Sequence, residues 1–317
     1  MSIFLAPIGS GLGDVLISLP VVQALLDRGE ETYFVRRSFR QEGVAPRIEG
    51  LAGDVSEEEV KARLGADDTY INLRAHPIQT DYLWGSPEFE AIFGVTRMEK
   101  IIALIAADWG LQISYDSLRP LAFSRREEVR GKILFIPGTD GYYKHWPQAY
   151  WLELRRLLAE KGHDVIVVGR PDESPSVKAL LELGLPWIET ATAGDAVDVV
   201  SSAAAVVSVD TGLMHVAVQQ GLPVFTFIHP GNFHERSAAN CSNFYGVHCP
   251  PQCGRDTAVK EGTLASDALA VGLKFDHHLC RMPTEQNCMA GITPYMVLEE
   301  MVRRDVVASS EPAPPRS

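Results

Sequence analysis

Gly9-Ser10-Gly11-Leu12-Gly13-Asp14 follows directly on the apolar run Ile3-Phe4-Leu5-Ala6-Pro7-Ile8 and leads into Val15-Leu16-Ile17. A short apolar run, a glycine loop and an apolar helical stretch together read as the opening of a parallel α/β unit. Glycines at that point let backbone N–H groups come close to a ligand, because no Cβ stands in the way. A dinucleotide fingerprint needs a third glycine three residues after the second. Here that position is Asp14, so the fingerprint fails. A carboxylate adds nothing to a phosphate cradle; it suits chemistry on a hydroxyl, with Asp14 accepting a proton. The competing reading is structural, since Asp at a helix start is a common cap.

The strand, loop and helix pattern recurs in two blocks. In the first, residues 3–8 read as a strand and 14–27 as a helix, with Pro20 kinking it. Strands follow at 31–35 and 69–73, and Ser56 with Glu59 forms a capping-box pattern opening a helix over 56–64. Residues 77–93 are aromatic and irregular, which suits a substrate-facing surface. The charged stretch 124–131 has no apolar period and reads as a linker.

In the second block, strands are expected at 132–136, 164–168, 187–190, 205–209 and 224–228. Pro147 sits in the first turn of a helix that Gly162 ends. Further helices run to 183 and over 195–203, and Asp210 caps one that Gly221 ends. Alternation of this kind implies parallel sheets covered on both faces. The fold class is therefore α/β, with two Rossmann-like domains, residues 1–125 and 131–305, facing each other across an interdomain cleft. The ligand belongs at the carboxyl ends of the strands. Residues 309–317, rich in Pro and Ser, are expected to be disordered.

Composition narrows the function. The chain has 317 residues and a formal net charge of −12, with a pI near 5.2. It offers no basic field for nucleic acid, and broad adhesion to anionic lipid is disfavoured. The apolar run at 3–8 is too short to span a bilayer and lacks the basic flank of a signal peptide. Five cysteines, all after residue 240, argue against a secreted disulfide framework and for a reducing cytoplasm.

Three loops carry chemistry, each directly after an expected strand. The first ends in Asp14. The second is Pro137-Gly138-Thr139-Asp140-Gly141-Tyr142-Tyr143-Lys144-His145-Trp146-Pro147, and the third is Asp210-Thr211-Gly212-Leu213-Met214-His215. In the third, an acid and a hydroxyl stand at a helix start where free N–H groups make an anion site. His215 lies one turn along the same face as Thr211. Lys144 can add a point charge to the same phosphate. The residues alone thus give a nucleotide-like anion in the second domain and an acid facing it from the first.

The runs GLGDVLISLPVVQALL, IPGTDGYYKHWPQAYWLELRRLLAEKGHDVIVVG and VSVDTGLMHVAVQQGLPVFTFIHP resemble the heptosyltransferases of lipopolysaccharide assembly, glycosyltransferase family 9. The resemblance spans roughly residues 1–30 and 130–300. It implies a GT-B glycosyltransferase that inverts the anomeric centre and requires no metal cofactor. The donor implied is a nucleotide sugar, ADP-heptose in the best-known members, and the acceptor a glycan or lipid-linked glycan. The place implied is cytoplasmic, with at most peripheral contact at the inner face of the membrane. Matched motif to motif, Asp14 takes the general-base position beside Gly11 and Gly13. Lys144 takes the phosphate-binding position, Asp210, Thr211, Gly212 and His215 the donor loop, and Glu173, in Gly169-Arg170-Pro171-Asp172-Glu173, the nucleoside contact.

Other readings stand beside these. Lys144 could be an ordinary solvated lysine and His215 a core histidine. Trp146, Tyr150 and Trp151 read as core anchors, whereas Tyr142 and Tyr143 suit the cleft. Arg36, Arg37, Arg40 and Arg74 could form a basic patch for a phosphorylated acceptor, or could simply be solvated. Cys249 and Cys253 have zinc-like spacing, but Cys280 and Cys288 are wider apart; free thiols or a local disulfide are preferred over structural zinc. Two other classes remain: a nicotinamide-dependent oxidoreductase, and a non-catalytic nucleotide-sugar-binding protein that could dispense with Asp14.

Overall fold

A computed structural model of the chain describes residues 1–81, 91–92, 98–139, 144–228, 238–246 and 287–308. The expected cleft residues Tyr142 and Tyr143, the cysteines Cys249, Cys253 and Cys280, and the tail 309–317 lie outside the described residues.

The first unit comprises β1 (Ser2–Ala6), α1 (Leu12–Asp27), β2 (Glu31–Arg36), β3 (Gly53–Ser56), α2 (Glu57–Arg63), β4 (Thr69–Asn72), α3 (Pro77–Thr80) and α4 (Met98–Asp108). Its strands pair in the order β3-β2-β1-β4, all parallel. β1 ends before Pro7, which has no N–H to give to a ladder. β4 stops at Asn72 because that side chain accepts the Ala75 N–H and starts a 3₁₀ turn. The Ser56–Glu59 capping box forms as read. α1 is one continuous helix through Pro20.

The second unit comprises β5 (Ile133–Ile136), α5 (Gln148–Glu160), β6 (Val165–Val168), α6 (Pro175–Glu182), β7 (Trp187–Ile188), α7 (Ala193–Ser201), β8 (Ala205–Val209), α8 (Gly212–Gln219), β9 (Val224–Ile228), β10 (Cys241–Tyr245) and α9 (Pro294–Arg303). Its strands order as β10-β9-β8-β5-β6-β7, again all parallel. Counted within each unit, both sheets begin in Rossmann order, 3-2-1-4, so each has a switch point beside its first strand. Pro147 is the cap of α5 rather than its first residue. α7 starts two residues earlier than expected, because Thr192 and Asp195 form a capping box.

Three apolar clusters cover the four sheet faces. Val60 of α2 joins Phe4, Val35 and Val55 on the outer face of the first sheet. Trp151, Leu154, Val177 and Met301 cover the outer face of the second. The third cluster runs between the units: α1 packs against α8, and Leu5, Val15, Leu16, Met214, Val216, Leu134 and Val206 share one core. The inner faces of the two sheets are thus joined through one apolar seam. Trp146 and Trp151 are fully buried, as read, and the Trp146 indole N–H donates to the Ile292 carbonyl at 2.7 Å, tying the chain before α9 to the core.

Candidate functional site

Because every strand in both sheets runs parallel, the loops after β1, β2, β5, β6, β7 and β8 gather on one side. They enclose a cavity of about 560 Å³ lined from both units. Gly11, Gly13 and Asp14 line it from the first unit; Lys144, Glu173, Asp210, Thr211, Gly212 and His215 line it from the second. All nine described residues singled out in the three motifs and the Glu173 loop therefore meet in one place. Residues outside those motifs also line it: Phe39 and Arg40 after β2, Glu42 beyond them, and the 190–193 stretch after β7. Their signal was positional, since a residue just past a parallel strand faces the switch-point cleft whatever its type.

Asp14 is half-buried and sits at the third position of α1. Its Oδ2 accepts the Gly11 N–H at 2.8 Å. That contact is half of a capping box; Gly11 has no side chain to complete it. The carboxylate lies against Gly9, where a Cβ would stand 2.3 Å from Oδ2. Gly9 is therefore what gives the carboxylate its place. Asp14 does cap, and it also faces the cavity.

Gly13 and Gly212 do something the sequence did not reveal. A Cβ on Gly212 would stand 2.8 Å from the Gly13 nitrogen and 2.9 Å from the Leu12 Cβ. A second pair repeats the device: a Cβ on Gly194 would stand 2.4 Å from the Gly43 carbonyl oxygen, and the Gly194 N–H donates to the Glu42 carbonyl at 3.0 Å. Glycines read as bringing a helix mouth to a ligand thus bring the two units together, mouth to mouth. The starts of α1 and α8 then open onto one cavity, whose lining includes Leu12, Gly13, Gly212 and Leu213 of their first turns.

Asp210 does not cap α8, contrary to expectation. Thr211 occupies the cap position, and the Asp210 carboxylate instead forms an ion pair with the Lys144 ammonium. Both are largely removed from solvent, at 3% and 8% exposure. His215 Nε2 lies 3.9 Å from the other Asp210 oxygen. Lys144 is therefore no loose surface lysine: its amine is held at the cavity wall. An ammonium has three donors, more than a single carboxylate oxygen engages. His145, next in the chain, is half-buried with Nε2 3.3 Å from the Thr139 carbonyl; burial pushes its pKa below the usual value, and that hydrogen bond opposes the shift.

Glu173 bridges the units at the rim. It forms an ion pair with Arg170 at 2.9 Å and lies 3.7 Å from Arg40 of the first unit. Of the four arginines that could form a basic patch or be solvated, three lie in ion pairs: Arg36 with Asp54, Arg37 with Glu57, and Arg40 with Glu173. Among the described residues no cluster of His, Cys, Asp and Glu is arranged to hold a metal ion, and no helix is long and apolar enough to cross a membrane.

The model for glycosyltransferase family 9 (heptosyltransferase) matches residues 91–235. The chain is similar to glycosyltransferase family 9. The matched family 9 segment holds Lys144, Glu173 and the Asp210–His215 loop, and Asp14 lies outside it. Lipopolysaccharide heptosyltransferase 1 of Pseudomonas aeruginosa is 34% identical over 104 residues, 32% of this chain and 29% of the relative. Lipooligosaccharide heptosyltransferase 2 of Haemophilus influenzae is 30% identical over 105 residues, 30% of each. The alignments thus span about three tenths of the length of these relatives.

Solved structures extend the likeness to nearly the whole fold. A family 9 glycosyl transferase from Veillonella parvula superposes with a TM-score of 0.64 at 16% identity, covering 95% of this chain and 96% of the other. The ADP-heptose lipopolysaccharide heptosyltransferase II of E. coli gives 0.61 at 17%, covering 96% and 98%. The architecture is GT-B, with two Rossmann-like units around a cleft.

Proposed function

We propose that this chain is a glycosyltransferase moving a heptose-type sugar from a nucleoside diphosphate donor, ADP-heptose, to a hydroxyl of a lipopolysaccharide-core glycan. The observation that carries the reading is the meeting of Asp14 with the Lys144–Asp210 pair and the α8 start in one cavity. The names of the relatives support the sugar and the acceptor. A nicotinamide enzyme is disfavoured, because position 14 carries an acid where the fingerprint wants glycine.

In this reading the nucleoside lies toward Glu173 and Arg170, and the diphosphate lies against Lys144 and the N-terminal amides of α8. Asp14 takes the proton from the acceptor hydroxyl as that oxygen attacks the anomeric carbon. The nucleoside diphosphate leaves from the opposite face, so the configuration inverts. Its growing charge meets an ammonium and fixed N–H dipoles, which can serve in place of a divalent metal ion.

The test is direct. Purified protein is given ADP-heptose and heptose-deficient lipopolysaccharide core, with a chelator present. Release of ADP that depends on the acceptor, with inverted product, is expected. Binding of ADP with no transfer would favour the sugar-nucleotide-binding alternative, and preference for a nicotinamide cofactor would favour the oxidoreductase.

A further inference from the structure

Gln41 is a polar side chain at 1% exposure, on a 3₁₀ turn (Phe39–Gln41) that follows β2. Its amide is used on both sides. Nε2 donates to the Gly9 carbonyl at 3.0 Å and, more weakly, toward the Gly11 carbonyl at 3.5 Å; Oε1 accepts the Arg37 N–H at 2.7 Å. Ser38, one residue before the turn, donates from Oγ to the Ser10 carbonyl at 2.5 Å. Three consecutive carbonyls of the glycine loop are thus met from this one segment. The loop places Asp14 twice over: Gly11 gives its N–H to the carboxylate, and Gly9 leaves the space the carboxylate fills.

The same turn also reaches the other unit. Arg40 lies 3.7 Å from Glu173, and the Arg170 guanidinium lies 5.5 Å from the Phe39 ring centroid. Its rim side chains stand at the wall assigned to the nucleoside, and its buried amide holds the loop carrying the acid.

We infer that Gln41 is a positioning residue, fixing the 9–11 loop so that Asp14 keeps one orientation in the cavity. A buried amide with donor and acceptor both used specifies geometry more sharply than apolar packing of the same volume. The assignment rests on Asp14 being the base, and its test separates the two ideas.

Gln41→Met keeps length and volume and removes the amide. Ser38→Ala is the milder companion should that variant fold poorly. Three quantities are measured on the full chain: ADP affinity, ADP release from ADP-heptose with the lipopolysaccharide-core acceptor, and amide hydrogen exchange in the segment spanning residues 6–14. The expected result is ADP affinity within about twofold of the parent, kcat lower by about tenfold or more for Gln41→Met, and a smaller loss in the same sense for Ser38→Ala. Exchange in the segment should quicken by about tenfold. A merely structural Gln41 would lower the melting temperature while leaving kcat and loop exchange in the folded protein unchanged, and that outcome overturns the inference. Loss of ADP affinity in step with kcat overturns it too, by placing the effect on the donor side. If the parent protein shows no transfer, the proposed function falls, and the exchange result still decides whether Gln41 orders the Asp14 loop.

Discussion

A methyl group on Gly212 would stand 2.8 Å from the backbone nitrogen of Gly13, so two helix starts from different units meet at a pair of glycines. The contact is asymmetric. A Cβ on Gly13 would meet His215 at 3.4 Å and the Gly212 Cα at 3.5 Å, which is ordinary packing. Gly212→Ala should therefore destabilise the fold by about 1–3 kcal/mol, as overpacking does, and weaken ADP binding by moving the α8 start. Gly13→Ala should do much less of both. Thermal unfolding and ADP titration of the two variants provide the comparison; equal effects would contradict the asymmetry.

Gly9 makes a second, sharper case. A Cβ there would stand 2.3 Å from Asp14 Oδ2, so the carboxylate has to move. Gly9→Ala is expected to lower turnover strongly while leaving ADP affinity near that of the parent protein. Steady-state kinetics beside calorimetric ADP binding measure both.

Lys144 and Asp210 form a buried ion pair, and removing one partner takes the opposite charge away from the other. Lys144→Met should cost about 3–5 kcal/mol in denaturant unfolding, and it should also weaken ADP binding. Asp210→Asn should be milder in stability, because the ammonium at the cavity wall can turn toward water. Equal denaturation midpoints for Lys144→Met and the parent would show that the pair carries no stability.

His145 gives a pH dependence with a definite sign. Burial lowers its pKa in the folded chain below the usual value near 6.5. Between the folded value and about 6.5 the unfolded chain binds more protons, so stability rises with pH across that window. The penalty begins as pH falls through about 6.5 and is complete below the folded value. His145→Gln should flatten this part of the stability–pH curve, leaving the carboxylate-driven loss at lower pH. Parallel unfolding curves from pH 5 to 8 for parent and variant provide the measurement.

The alternation of apolar runs with glycine loops was enough to place two parallel sheets and the side on which their loops meet. Asp14, Lys144 and the Asp210–His215 loop were legible for the same reason, since each directly follows a strand. Partnership across the units was not legible. Gly13 and Gly212 are separated by most of the chain, and nothing local marks a glycine as facing another helix rather than a ligand. Asp210 read as a cap because acids often cap helices, yet a buried lysine brought from another loop outweighed that preference. β3 was missed because Gly53-Asp54-Val55-Ser56 has a single apolar residue, and it forms through its pairing with β2. β10, Cys241-Ser242-Asn243-Phe244-Tyr245, lacks a period for the same reason at the sheet edge. α9 did have a signal, Thr293 as cap with Pro294 at the first position. Gln41 carries no sequence mark at all; its role exists only where three loop carbonyls converge on it.

The most direct measurement is acceptor-dependent ADP release by Asp14→Asn, with ADP affinity determined on the same protein. Asparagine keeps an oxygen that can accept the Gly11 N–H, so the capping role survives while the basic carboxylate is removed. Glu42→Gln serves as the comparison, because Glu42 is another carboxylate of the first unit lining the cavity. The account predicts turnover lower by about 10²–10⁴-fold for Asp14→Asn, unchanged ADP affinity, and at most a few-fold change for Glu42→Gln. Normal turnover by a folded Asp14→Asn variant would contradict it.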